Sequence, residues 1–227
     1  CYALARGPAG YYLLKTGGAM GTGTGLASGF GKLASFGFDQ PVVAMCGDST
    51  FFHAAMPPLV NACYNKSNLV MVILDNSTTA MTGFQPHPGV GRNAMGEEVA
   101  PVDIEAVCRS FGAKVSVTDP FDLEGTKQKM LQALEDPVGA KVVIMRRQCQ
   151  MLKGKEEKLP YQVRVNPEIC IGDDCGCDRL CTRVFKCPGL MWDNKSAQAR
   201  IDEVICVGCG VCADICPEKA IIKEEIR

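Results

Sequence analysis

The sequence predicts an α/β protein: a doubly wound domain on a mainly parallel sheet, followed by a small cysteine-rich α+β domain. Three observations carry this reading. Short apolar runs at Pro41–Cys46 and Asn68–Asp75 have almost no polar interruption, which implies strands buried on both faces, as in a parallel sheet. Stretches with helical periodicity separate such runs. Nine of the fourteen cysteines crowd into residues 170–216.

Taken in order, Pro41–Cys46 is the first strand, followed at once by Gly47-Asp48-Ser49. A helical stretch follows, restarting at Pro57-Pro58, with Leu59, Val60 and Cys63 on its apolar face. Asn68–Asp75 is the second strand; Ala113–Thr118 and Lys141–Met145 supply two more. Asp103–Phe111 and Asp122–Leu134 read as helices, each opening on an aspartate suited to an N-cap. Alternating strands and helices are the doubly wound pattern. The first domain is expected over residues 1–150, a charged linker over 151–167, and a second domain over 168–227. The last segment, from Glu218 on, reads as a solvated charged tail.

With 227 residues and a net charge of −1, the chain has room for one medium and one small domain. Nothing in the charge calls for nucleic acid or an anionic membrane. No apolar run reaches the roughly 18 residues of a membrane span, and no secretory leader is read. The chain opens at Cys1, inside what reads as running domain sequence. Cys1, Cys46, Cys63, Cys108 and Cys149 are scattered, and such cysteines are by default small buried hydrophobes. The distribution fits a reducing cytoplasm better than a disulfide scaffold.

The cysteine-rich segment states its chemistry. Cys206-x₂-Cys209-x₂-Cys212-x₃-Cys216-Pro217 is the bacterial ferredoxin run, in which three thiolates hold one cubane and the fourth reaches a second. A second group, Cys170, Cys175, Cys177, Cys181 and Cys187-Pro188, stands upstream. Two facing groups predict a ferredoxin-like domain with two 4Fe–4S clusters; a zinc site is the alternative. Such a chain moves single electrons.

The first domain carries Gly47-Asp48-Ser49, with Asn76 standing 28 residues after Asp48. That interval suits a strand–helix–strand unit, so the two tips become parallel neighbours at the end of the sheet where ligands bind. A carboxylate and an amide oxygen placed there suit Mg²⁺, which takes one or two carboxylates and completes its shell with phosphates and water. Asp48, the Asn76 side chain and the Thr78 carbonyl are the expected donors. Gly47 is expected to permit a close turn, and the N–H groups of Ser49 and Thr50 to meet a phosphate at a helix start. A tight turn with a turn asparagine is the plainer explanation of the same residues.

Gly47-Asp48-Ser49 with Asn76 resembles the cofactor motif of thiamine diphosphate-dependent enzymes. The stretch GDSTFFHAAMPPLVNACYNKSNLVMVILDNSTTAMTGFQPHPG is similar to the alpha subunits of indolepyruvate:ferredoxin oxidoreductases, in their C-terminal half. Gly17-Gly18-Ala19-Met20-Gly21 resembles that family's segment against the cofactor, and the cysteine tail its ferredoxin-like domain. The resemblance implies a thiamine diphosphate-binding fold. It implies oxidative decarboxylation of a 2-oxoacid, an aryl pyruvate such as indolepyruvate. The products are acyl-coenzyme A and CO₂, and the electrons pass through the clusters to ferredoxin. The implied cofactor-binding residues are Met20, Gly21, Gly47, Asp48, Ser49, Thr50, Asn76, Thr78, Thr79 and Met81. The family's pyrimidine-binding domain, with its activating glutamate, is not evident here. It is expected from missing sequence or from another subunit, beside a gamma-type subunit.

Within that resemblance the first cysteine group is irregular. The crossing rule pairs Cys187 with Cys206, Cys209 and Cys212, and Cys216 with three of the other four. Nine cysteines stand where eight are needed; Cys175 and Cys177 flank one glycine, and Cys175 is favoured as the ligand. An alternative is that the insertion remodels or removes this cluster. His53, about one helical turn past Asp48, is the candidate catalytic histidine, for proton transfer or for orienting the substrate carboxylate. His87, on a stiff Pro-His-Pro loop, is a candidate substrate contact. The rival readings are a non-redox thiamine decarboxylase, a pure electron-transfer subunit, and an oxidoreductase of another 2-oxoacid.

Overall fold

The computed structural model describes residues 14–153 and 161–225. Cys1 and most of the charged run expected as linker lie outside the described residues. The described chain divides into two compact units, residues 14–149 and the residues from Gln150 onward.

The first unit is a four-stranded sheet of β1 (Val43–Gly47), β2 (Leu69–Asp75), β3 (Lys114–Thr118) and β4 (Ala140–Arg146), in the order β1-β2-β4-β3. Every pairing is parallel. The two central strands are buried almost throughout, as uninterrupted apolar sequence requires. Alternate residues serve opposite faces. Ala44, Cys46, Leu69, Met71, Ile73, Val142 and Ile144 share one core with Ala27, Phe51, Leu59, Ile104 and Cys108. These last come from α1 (Thr22–Lys32), the helical run after β1, and α4 (Ile104–Ser110). Val70, Val72 and Val143 pack on the other face with Ala133 and Met130 of α5 (Leu123–Glu135). Helices on both faces make the sheet doubly wound, as expected.

Local chemistry sets the helix ends. Asp103 accepts from the Glu105 N–H at 2.9 Å and Asp122 from the Gly125 N–H at 3.0 Å, the N-cap role expected of both. After β1 the chain turns directly into α2 (Asp48–Thr50), a π-turn over Phe51–Ala55, and α3 (Met56–Tyr64). Pro57 and Pro58 fall in the first turn of α3, where the N–H a proline lacks has no helical partner in any case. Among these residues Phe51, Ala55 and Leu59 are fully buried. Burial pushes the Cys46 thiol up to about 12, helped by Cys108 and Asp48. Cys108 is likewise pushed up to about 12, first by burial. Both behave as core hydrophobes.

The second unit holds two antiparallel ribbons. β5 (Tyr161–Val165) pairs with β8 (Ile221–Glu225), and β6 (Leu190–Asp193) with β7 (Gln198–Ile201). Between them lie a 3₁₀ turn over Gly172–Cys175, a π-turn over Leu180–Phe185 and α7 (Val211–Ile215), preceded by the short α6 (Gln150–Lys153). This α+β build agrees with the sequence reading. Two segments differ from it: residues 161–165, read as linker, form a strand, and so do residues 221–225 of the supposed solvated tail. Each strand turns an apolar residue inward, Val163 and Ile221. Charged residues line the outer side, where Arg164 and Glu224 pair at 2.6 Å. Those charges made the segments look solvated. The core between the ribbons contains Leu190, Ala199 and Ala213, together with Cys170, Cys181, Cys187, Cys206, Cys212 and Cys216. Thiols occupy the place of large apolar side chains, so the core depends on what they bind.

Candidate cofactor site

Parallel pairing of β1 with β2 sets Gly47 opposite Leu74, and their C-terminal tips stand side by side. Asp48, the first residue beyond β1, has a side chain only 4% exposed. Its carboxylate is held from two sides. Oδ1 accepts from the Ser49 N–H at 2.8 Å and Oδ2 from the Asn76 N–H at 3.0 Å. The second bond ties the strand tips together through the residue pair that the spacing singled out. The Asn76 side-chain Oδ1 accepts from the Thr78 N–H at 3.2 Å. Ser77, between them, has φ 62°, a left-handed turn that brings buried Thr78 back beside Asn76. Each of these acceptor oxygens retains a lone pair.

Gly47 corrects one expectation. Its backbone is extended, φ −84° and ψ 166°, so no tight turn demands glycine. A Cβ there would meet nothing within 4 Å. Neither conformation nor crowding within the described chain excludes a side chain. The open space lies directly beside the buried carboxylate and leaves room for a ligand against this backbone.

This arrangement fits a hard cation bridging to a phosphorylated ligand. A buried carboxylate calls for a positive partner. Among the described residues, no group of three His, Cys, Asp or Glu side chains stands around Asp48. A cation at Asp48 would rest on one carboxylate, on neutral amide and carbonyl oxygens, and on oxygens of the ligand itself. That is the donor set Mg²⁺ prefers.

The other expected residues distribute as follows. Gly21 has φ +86°, and a Cβ on it would lie 2.6 Å from the Ala54 Cβ. The Gly18–Gly21 turn therefore packs directly on the π-turn that follows Asp48. Thr50 is buried. Thr79 exchanges backbone hydrogen bonds with the Phe84–Gln85 turn, donating to Gln85 at 3.0 Å and accepting from Phe84 at 3.1 Å. Met20 and Met81 are 57% and 76% exposed. His53 is exposed on the π-turn.

The histidine in contact with Asp48 is His87. Its Nε2 lies 3.1 Å from Asp48 Oδ2, and its side chain is 4% exposed. Its ring lies against Phe52, with centroids 5.5 Å apart. The sequence reading weighed His87 only as a substrate contact. The available signal was weak: one of two histidines, in a proline-flanked loop. A separate hollow of about 410 Å³, lined by Phe30, Pro41, Val42 and Leu134, lies at the opposite ends of the strands, away from this chemistry.

In the second unit the cysteines fall into two crossed sets. Burial pushes Cys212 up to about 12, and its neighbours Cys209, Cys187 and Cys206 add to the rise. Burial also raises Cys181, and Cys177, Cys216 and Cys170 add to it. Cys187 thus sits with the downstream group and Cys216 with the upstream one, the crossing that two cubanes require. Cys175 lies beside Cys177 and Cys170, whereas the neighbours of Cys181 are Cys177, Cys216 and Cys170. Buried thiols such as Cys181 and Cys212 are poor thiolates until a metal takes the proton's place.

Comparison with known proteins accords with this geometry. Residues 1–145 match the family model of the thiamine pyrophosphate enzyme C-terminal TPP binding domain. Residues 199–222, which include Cys206, Cys209, Cys212 and Cys216, match the 4Fe-4S binding domain. The chain is 42% identical to indolepyruvate oxidoreductase subunit IorA of Pyrococcus horikoshii, over 80% of this chain and 28% of that protein. It is 40% identical to the IorA subunit of Methanothermobacter marburgensis, over 100% of this chain and 34% of that protein. The chain thus spans about a third of the length of the curated relatives it matches. Among solved structures, 2-oxoglutarate:ferredoxin oxidoreductase from Magnetococcus marinus is 19% identical, with a TM-score of 0.49, over 57% of this chain and 46% of that one. The zinc alternative for the downstream cysteines gives way to the iron–sulfur match. The chain belongs to the thiamine pyrophosphate enzymes: it carries their C-terminal TPP-binding domain and, after it, a 4Fe–4S binding segment.

Proposed function

We propose that this chain is the diphosphate-binding and electron-exporting part of a 2-oxoacid:acceptor oxidoreductase that forms acyl-coenzyme A and CO₂. The observation that carries the reading is the Asp48 carboxylate at the tip of β1, bonded to Asn76 at the tip of β2, on a chain that also holds two crossed sets of cysteines. When bound, thiamine diphosphate supplies an electron sink for the carbon that loses CO₂. The chain's own residues do the rest. Asp48, the Asn76 side chain and the Thr78 carbonyl would hold Mg²⁺. The open backbone at Gly47 and the Thr50 N–H would receive the diphosphate, the Ser49 N–H being held by Asp48. The exposed Met20 and Met81 belong to a pocket wall completed by another domain or subunit. That partner supplies the pyrimidine-side glutamate, and a gamma-type subunit completes the complex.

Two 4Fe–4S clusters fit the cysteine sets, one on Cys187, Cys206, Cys209 and Cys212, the other on Cys170, Cys177, Cys181 and Cys216. Cys177 replaces Cys175 as the preferred ligand, because it is Cys177 that neighbours Cys181. Ferredoxin is the expected acceptor. The sequence similarity to IorA subunits supports indolepyruvate as the substrate class, and His53 is kept as a candidate for handling the substrate carboxylate.

The test is an assay of the native complex with indolepyruvate and coenzyme A. Reduction of two equivalents of ferredoxin per CO₂, dependent on coenzyme A, is the expected result. Release of aldehyde without reduction of the acceptor would contradict it.

A further inference from the structure

His87 is a buried histidine whose two nitrogens have separate duties. Nδ1 accepts from the Gly89 N–H at 3.1 Å, so a neutral ring carries its proton on Nε2. That Nε2 is buried, lies 3.1 Å from Asp48 Oδ2, and has no aligned hydrogen-bond acceptor among the described residues. A buried donor left unmatched is costly, and the nearest charged oxygen is on the carboxylate that faces the cation.

The ring is held where it is. Phe52 covers one side. Gly89 closes in as well: a Cβ there would lie 3.0 Å from the Phe52 ring and 3.1 Å from the His87 ring. The loop around it is pinned by backbone bonds from Val90 to His87 at 3.0 Å and from Val102 to Pro88 at 2.9 Å. A stiff loop thus delivers one N–H to one oxygen.

We infer that His87 is a positioning residue for Asp48: its Nε2–H takes the free lone pair of Oδ2, beside the Asn76 N–H, and turns Oδ1 toward the cation. A small turn of ring or carboxylate brings the donor into line. Ligating carboxylates are commonly oriented by such outer donors, and losing one costs about 10- to 100-fold in metal affinity. The inference rests on the proposed cation–diphosphate site.

The test uses the native complex, stripped of cofactors and titrated with Mg²⁺ and thiamine diphosphate under equilibrium dialysis. His87→Asn keeps an acceptor for the Gly89 N–H but is too short to reach Asp48; His87→Gln reaches it with an amide N–H. H87N is expected to raise the Mg²⁺ concentration for half-saturation about 10- to 100-fold, with iron content and melting temperature unchanged. H87Q is expected to restore it to within about threefold of the parent, since it returns the donor. Should H87N fail to assemble, H87F, which keeps a ring against Phe52, takes its place. Parent-like Mg²⁺ dependence in H87N or H87F overturns the inference, as does an H87Q complex as weak as H87N. If the parent complex itself binds no thiamine diphosphate with Mg²⁺, the functional reading falls together with this one; if only the variants match the parent, that reading stands and this one falls.

Discussion

Asp48→Asn is expected to abolish magnesium-dependent binding of thiamine diphosphate while leaving the iron–sulfur content intact. The substitution keeps the size of the side chain and removes its charge. Asp48 accepts one backbone N–H on each oxygen, from Ser49 and Asn76; an amide can accept only on one side and must turn its NH₂ toward the other donor. A cation at this site would then lose the one carboxylate that the described residues offer it. Removing one partner of a buried charge pair costs about 3–5 kcal/mol, which is about two to three and a half orders of magnitude in affinity. Equilibrium dialysis of the complex at fixed Mg²⁺ measures it. Binding within a factor of three of the parent would show that the coenzyme is held elsewhere.

The second large effect lies among the cysteines. Cys177→Ser is expected to lower iron and acid-labile sulfide from about eight to about four of each per chain, as the loss of one of two four-iron clusters requires. Cys175→Ser is expected to leave both near eight. The distinction follows from the neighbours of the buried Cys181, which are Cys177, Cys216 and Cys170. Loss of that cluster also removes the filling of a core poor in large side chains, so proteolysis within residues 161–225 is expected to quicken in C177S alone. Retention of both clusters in C177S, with loss in C175S, would reverse the assignment.

The fold was most legible where the chain is least ambiguous. β1, β2, β3 and β4 are apolar enough to declare themselves, and Asp103 and Asp122 mark the starts of α4 and α5 by capping chemistry alone. β5 was hidden because every other residue meets solvent, and β8 because its last three residues all do. In a two-stranded ribbon the charges on the outer side look the same as those of a linker until the partner strand is known.

The site was legible in the same uneven way. The interval from Asp48 to Asn76 followed from the length of one strand–helix–strand unit, and the parallel register sets the two side by side. The tight turn expected at Gly47 is absent: its backbone is extended, with open space beside it. Sequence distance points to His53 as the histidine nearer Asp48, whereas the folded chain brings His87 into contact with it. Asp48 and His87 meet only because an irregular loop folds back over the strand tips, and no periodicity reports such a return. The choice between Cys175 and Cys177 likewise turns on which thiol reaches Cys181, a matter of tertiary packing that spacing does not report.

The most direct test of the account is a structure of the native complex loaded with Mg²⁺ and thiamine diphosphate. A cation is expected about 2.0–2.1 Å from one oxygen each of Asp48 and the Asn76 side chain, with the diphosphate bound beside Gly47. A diphosphate bound elsewhere, or a cation that touches neither side chain, would contradict it.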